Sequence, residues 1–162
     1  MTKAAVRSCC AIALTAAAAC AWFDDDRAQI TNQLKRFTER VNTSAPEGPA
    51  SVTRAAELGS FFTDDVVVEL GEGSAPIQGR ETLIAMAARL QGRLAEFRLG
   101  FTDATVQVAP DKQSADVTLT AQFNRRDSTA RQQMDAREFK LQMRQDSGAW
   151  KIARATAVDT LK

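Results

Sequence analysis

Apolar positions recur along this chain first with a helical period and then with a strand period. Ile30, Leu34, Phe37 and Val41 fall at i, i+4, i+7 and i+11, which predicts one stripe of a helix opening near Asp24-Asp25-Asp26, carboxylates that suit a helix N-terminus. Asn42 to Pro49 carries Pro46, Gly48 and Pro49 and predicts a loop. Ser51 is placed to cap a second, shorter helix using Val52, Ala55, Leu58 and Phe62, and Val66 to Leu70 reads as a β-branched strand. After the turn Gly71-Glu72-Gly73-Ser74 and Gly79, a third helix sets Leu83, Met86, Ala87, Leu90 and Leu94 along one side.

The remainder has period two. Phe97, Leu99 and Phe101 alternate, then the apolar phase moves to Ala104, Val106 and Val108, the mark of a β-bulge. Ala115, Val117, Leu119, Ala121 and Phe123 form one face of the next strand, against Asp116, Thr118, Thr120, Gln122 and Asn124. Phe139, Leu141 and Met143 predict the inner face of the following strand, and Trp150, Ile152 and Val158 that of the last. Ser147-Gly148 fits a two-residue hairpin turn. That turn pairs Asp146 with Ala149, hence Met143 with Ile152, Leu141 with Arg154 and Arg137 with Val158. The expected class is α+β, with three N-terminal helices packed on a strongly curved, mixed and mainly antiparallel sheet.

Composition narrows the chemistry. The chain holds 162 residues, enough for one domain, and 44% of them are hydrophobic, enough for a core. Lys+Arg 21 against Asp+Glu 20 gives a net charge of +1, which argues against a nucleic-acid binder. The cluster Arg125, Arg126 and Arg131 is interrupted by Asp127 and followed by Asp135, as in a polar hairpin loop. There is no His and no Tyr, so the commonest general base, the usual catalytic triad and most zinc sites are absent. No metal site and no cofactor are expected, since the carboxylates show no cage spacing.

All three cysteines, Cys9, Cys10 and Cys20, lie near the N-terminus, with Lys3 and Arg7 ahead of an uncharged run from Ser8 to Ala19. This layout predicts a secretory signal over 1–19, and the apolar run is too short for a membrane span. Ala17-Ala18-Ala19-Cys20 resembles a bacterial lipobox without its preferred Leu, so Cys20 is expected to be lipidated; conventional cleavage after an Ala-x-Ala site is the alternative. The division is then a signal peptide at 1–19, lipidated Cys20 with a short linker to 27, and one domain over 28–162. Loss of Lys3 and Arg7 with the leader would carry the net charge from +1 to −1. Ala21 after Cys20 resembles an outer-membrane address facing the periplasm, with a soluble periplasmic or secreted form as the alternative.

Phe62-Thr63-Asp64-Asp65-Val66-Val67-Val68-Glu69, followed by Gly73, Pro76 and Gly79 into a helix, resembles the front half of nuclear transport factor 2-like domains. These include the SnoaL-like polyketide cyclases and ketosteroid isomerases. Asp146-Ser147-Gly148-Ala149-Trp150-Lys151-Ile152 is similar to the hairpin before their last strand. The resemblance implies a cone-shaped domain with an internal cavity. It also implies that the isomerase base position is occupied here by Leu70, and the oxyanion Tyr has no counterpart. Isomerisation needs both a base and an oxyanion donor, so that reaction is not expected.

The remaining candidates are few. Glu69 is an outside candidate for a cavity carboxylate, the alternative being a solvated strand residue or an arginine's partner. Asp64 and Asp65 are expected to fix the turn into the strand. Arg137 and Arg154 fall in the apolar phase of their strands, so each needs a carboxylate, water or a ligand anion, and each otherwise snorkels past the sheet edge. If the cavity takes an anionic amphiphile, its head group is expected at one of these arginines, with Phe97, Leu99 and Phe139 holding the tail. Thr118, Thr120, Gln122, Ala153, Ala155 and Ala157 predict an opposite sheet face of small side chains, suited to a homodimer or simply solvated. The expected function is a non-catalytic envelope lipoprotein that binds a small hydrophobic or anionic ligand or a protein partner. A SnoaL-like enzyme acting on a hydrophobic substrate and a purely structural dimerisation domain are the alternatives.

Overall fold

The acidic trio does not open the first helix. In the computed structural model, which describes residues 10–43, 50–71, 73–94, 97–126 and 132–158, helix α1 runs Cys10–Asn42, so Asp24, Asp25 and Asp26 lie inside it. The alanine-rich stretch ahead of them has high helix propensity, and it extends the helix backward past the carboxylates. Among the described residues no helix is long and apolar enough to cross a membrane. Helix α2 is Ala50–Gly59, and Ser51 sits within it instead of capping it. Its Val52 is 67% exposed, and Phe62 belongs to the following strand. Helix α3 is Arg80–Leu94.

Among the described residues six strands follow the predicted order with one addition. They are β1 (Phe62–Glu69), β2 (Ile77–Gln78), β3 (Phe97–Val108), β4 (Ser114–Arg126), β5 (Gln132–Asp146) and β6 (Ala149–Ala157). The two-residue β2 was not anticipated, and it pairs with Val67 and Val68 after the turn. The sheet order is β2-β1-β6-β5-β4-β3, antiparallel throughout except for the parallel β1–β6 pair. The three helices pack on this mixed sheet, the α+β arrangement expected from the sequence.

Ile30 and Leu34 of α1 are buried with Val66, Val117, Leu119, Leu141, Met143, Trp150 and Ile152, so the predicted stripe faces the sheet. Burying such side chains is worth roughly 2 kcal/mol each relative to leaving them in water. Phe37 meets Phe61 and Phe62 edge-on at 5.4 and 5.6 Å and stacks on Phe101 at 6.2 Å, closing the filled part of the core. At the end of α1, Asn42 treats the edge strand β3 as a strand would. Its amide donates to the Leu99 carbonyl and accepts from the Leu99 N–H, each at 2.7 Å.

Two bulges decide which side chains face the helices. In β3 the register shifts between Thr102 and Thr105, with Asp103 at φ 54°, and this produces the phase switch read from the sequence. The Ser147-Gly148 turn has positive φ at both residues, as a type I′ hairpin requires, and pairs Asp146 with Ala149 and Met143 with Ile152 as expected. Beyond that pair a second bulge intervenes. Arg154 stands opposite Gln142, and Leu141 opposite Ala155. The expected Leu141–Arg154 pairing is therefore wrong, because one extra residue in β6 turns every later side chain over. Ala155 and Ala157 are buried on the helix-covered face, while Arg154 and Thr156 stand on the outer face. The small-residue dimer face drawn from Thr118, Thr120, Ala153 and Ala155 is corrected accordingly, since Ala155 is on the opposite side from the two threonines.

Candidate functional site

Where the filled core ends, a cavity of about 490 Å³ begins. Its floor is Phe37 and Phe62. One wall is the helix-covered face of the sheet, with Val68 and Leu70 from β1 and its end, and Phe97, Leu99 and Phe123 from β3 and β4. The other wall is α2 and α3, through Leu58, Leu83, Ile84, Met86 and Ala87. The Phe97–Leu99 alternation and the α3 stripe place these side chains here, as their periodicities require. Leu90 and Leu94, from the same predicted stripe, have side chains outside the described set. Gly59 at the end of α2 allows the two helices to touch, because a Cβ there would stand 2.4 Å from Ile84 Cδ1 and 2.7 Å from its Cγ1.

The polar lining is short. Among the described residues, Thr43 and Arg54 are the lining residues with polar side chains, and neither was anticipated. Arg54 reaches from α2 to the end of α1, where its Nη2 donates to the carbonyls of Arg40 and Thr43. A cation at carbonyls left open by a helix C-terminus is electrostatically favoured. Nothing in the local sequence of a short helix announces such a contact, since its partners lie at the end of another helix.

Leu70, which occupies the position where the resemblance implies a base, lines the cavity and is 42% exposed at its rim. The expected site residues divide. Phe97 and Leu99 line the cavity; Phe139 packs against the core, paired with Leu119 and Ala157, and is not in the lining. Arg137 lies at the rim, where Nη1 donates to the Leu70 carbonyl at 3.4 Å and Nε is 3.8 Å from Asp135 Oδ2.

Arg154 and Glu69 do not reach the cavity, which corrects both as cavity groups. They meet on the outer face, Arg154 Nη1 to Glu69 Oε1 at 2.8 Å, with Thr156 donating to Glu69 Oε2 at 2.8 Å. The β6 bulge turns Arg154 outward. The alternation of β1 sends Val66, Val68 and Leu70 inward and leaves Val67 and Glu69 outside. Asp64 and Asp65 each hold an arginine, Arg80 at 2.7 Å and Arg144 at 2.6 Å. Cys20 belongs to α1, and its side chain is outside the described set. Among the described residues no three His, Cys, Asp or Glu side chains gather as metal ligands.

Chemically, this wall can enclose an apolar body. A guanidinium offers only donors and a threonine hydroxyl is a poor proton acceptor, so neither side chain serves as a general base. A proton-transfer step requires a titratable group within hydrogen-bond reach of the reacting atom, and the described lining supplies none.

The fold and this cavity define a nuclear transport factor 2-like domain. More narrowly, the chain belongs to the SnoaL-like domain family, whose profile matches residues 24–156. No curated protein matches it significantly. Solved structures similar to it include a nuclear transport factor 2-like protein with a cystatin-like fold from Novosphingobium aromaticivorans. That structure has 20% identity and a TM-score of 0.67, over 89% of this chain and 88% of the other. A proposed scytalone dehydratase from the same organism has 13% identity and a TM-score of 0.65, over 83% and 84% of the two chains. A Catenulispora acidiphila protein in complex with S-DNPA has 14% identity and a TM-score of 0.64, over 81% and 90%. At these identities the likeness is one of fold.

Proposed function

We propose that this domain is a binding module for a small hydrophobic molecule, held in the cavity without chemical change. The observation that carries the reading is the wall itself: apolar on the sheet and helix sides, with Leu70 where a base would act and Glu69 turned to the other face. A volume of about 490 Å³ falls in the range of ordinary small-molecule sites, roughly 300 to 1,000 Å³. The similar cone from Catenulispora acidiphila, in complex with S-DNPA, is consistent with a fold that accommodates small ligands.

The module is carried, on this reading, by a lipid on Cys20 at the bacterial outer membrane, facing the periplasm. Lipid attachment contributes about 0.8 kcal/mol per buried methylene, so two or three chains would hold the domain firmly. The test is native mass spectrometry of the protein purified from its own envelope. The expected result is a co-purifying small molecule of fixed mass, released on denaturation, on a chain whose first residue is a lipid-modified Cys20. A ligand-free protein that also refuses hydrophobic compounds in titration contradicts the binding module. An unmodified mature terminus contradicts the anchor alone.

A further inference from the structure

The inner face of the sheet changes character at one corner of the cavity. Cross-strand rungs run Leu99–Phe123–Asp135 and Phe101–Ala121–Arg137 from β3 to β5. Leu99 and Phe123 line the cavity, so Asp135 and Arg137 stand where its apolar wall gives out. β6 ends at Ala157, opposite Phe139, and Ala121 faces Arg137 from β4. Two small side chains thus leave room for the guanidinium to cross toward β1, where it reaches the Leu70 carbonyl at 3.4 Å. Among the described residues its carboxylate partner is a loose one. Asp135 is 3.8 Å away, and the two side chains are 54% and 66% exposed. Such a pair contributes little and is readily exchanged.

We propose that the cavity takes a monoanionic amphiphile, a carboxylate or sulfonate on a hydrophobic body, whose head group binds Arg137 in place of Asp135. This rests on the reading of the cavity as a ligand site. The arrangement solves a desolvation problem. A charge drawn into the apolar interior is costly, whereas at this rim the body is buried and the head group keeps part of its water. Arginine suits the task, being permanently charged and shaped to meet a carboxylate with two parallel hydrogen bonds. Asp135 then acts as the internal competitor that holds the guanidinium in place when no ligand is bound. Removing each partner therefore has opposite consequences for an anionic ligand and none for a neutral one.

The experiment is displacement of the neutral fluorophore N-phenyl-1-naphthylamine by decanoate and by decanol at pH 7, using the mature wild-type protein, Arg137→Gln and Asp135→Asn. The quantity read is the ratio of the decanoate Kd to the decanol Kd. Arg137→Gln is expected to raise that ratio roughly three- to tenfold, as loss of one half-exposed charge-assisted pair would. Asp135→Asn is expected to lower it, and added salt to shrink both effects. Decanol affinity should be the same in all three proteins, which also reports an intact cavity. If decanol binds and the ratio is unchanged in both variants, the head-group assignment is wrong and the cavity reading stands. If neither the fluorophore nor decanol binds the wild type, the cavity reading falls and this proposal with it.

Discussion

The two faces of this sheet are made by the same strands and do opposite work. The helix-covered face is apolar from Met143 and Trp150 in the filled core to Leu99 and Phe123 at the cavity. The outer face carries charge in pairs: Glu69 with Arg154, Asp65 with Arg144, and Asp146 with Lys151 at 2.8 Å. A strand alternates strictly, so the only way to move a residue between these two environments is to add one residue to one strand. The β6 bulge does this, and with it a would-be cavity arginine becomes half of a surface ion pair. The carboxylate suggested as a cavity acid, turned outward by the alternation of β1, is the partner that this arginine meets there.

The largest predicted contrast is energetic. Leu119 is 1% exposed on the inner face, and Leu119→Ala should cost about 3 kcal/mol in denaturant unfolding, the transfer and cavity cost of a buried leucine. Thr120→Ala, next along the strand and on the outer face, should fall within about 0.5 kcal/mol of wild type. Equal costs would erase the distinction between the faces.

A smaller effect is expected at the outer ion pair. A double-mutant cycle on Glu69→Gln and Arg154→Met should give a coupling below about 1 kcal/mol, because the side chains are 38% and 44% exposed. Neither substitution should alter ligand affinity. A lost affinity in either variant would put that residue back in the cavity.

These residues also mark how far the sequence could be read. The bulge in β3 was legible because Phe97, Leu99 and Phe101 give way to Val106 and Val108, large side chains whose phase is unmistakable. The bulge in β6 carries the same signal in a weaker form. Trp150 and Ile152 are followed by Ala155 and Ala157, and alanine is acceptable on either face, so the switch passed for a small-residue outer surface. The hairpin register was recoverable from Ser147-Gly148 because turn chemistry is local. Arg54 was not, since its partners at the end of α1 are brought to it only by tertiary packing.

The smallest expected effect is a pH dependence on the outer face. A hydrogen bond from Lys151, and then one from Ser147, hold the Asp146 carboxyl below its ordinary value of 3.8. A carboxylate depressed in the folded state stabilises it at pH above its unfolded value and loses that contribution as pH falls through the folded one. Lys151→Met should therefore lower Tm slightly at pH 6 and converge with wild type near pH 2. A difference that grows on acidification would mean the pair is not what sets this carboxyl.

The apolar cavity is tested most directly through Ala87 on α3, which lines it. The measurement is a fluorescence titration of N-phenyl-1-naphthylamine into wild type and Ala87→Trp, with Tm recorded for both. The prediction is saturable one-to-one binding to wild type, and loss of at least tenfold in affinity for Ala87→Trp while cooperative unfolding is retained. Binding unchanged by the tryptophan, or no binding to the wild type at all, would contradict a ligand cavity between the helices and the sheet.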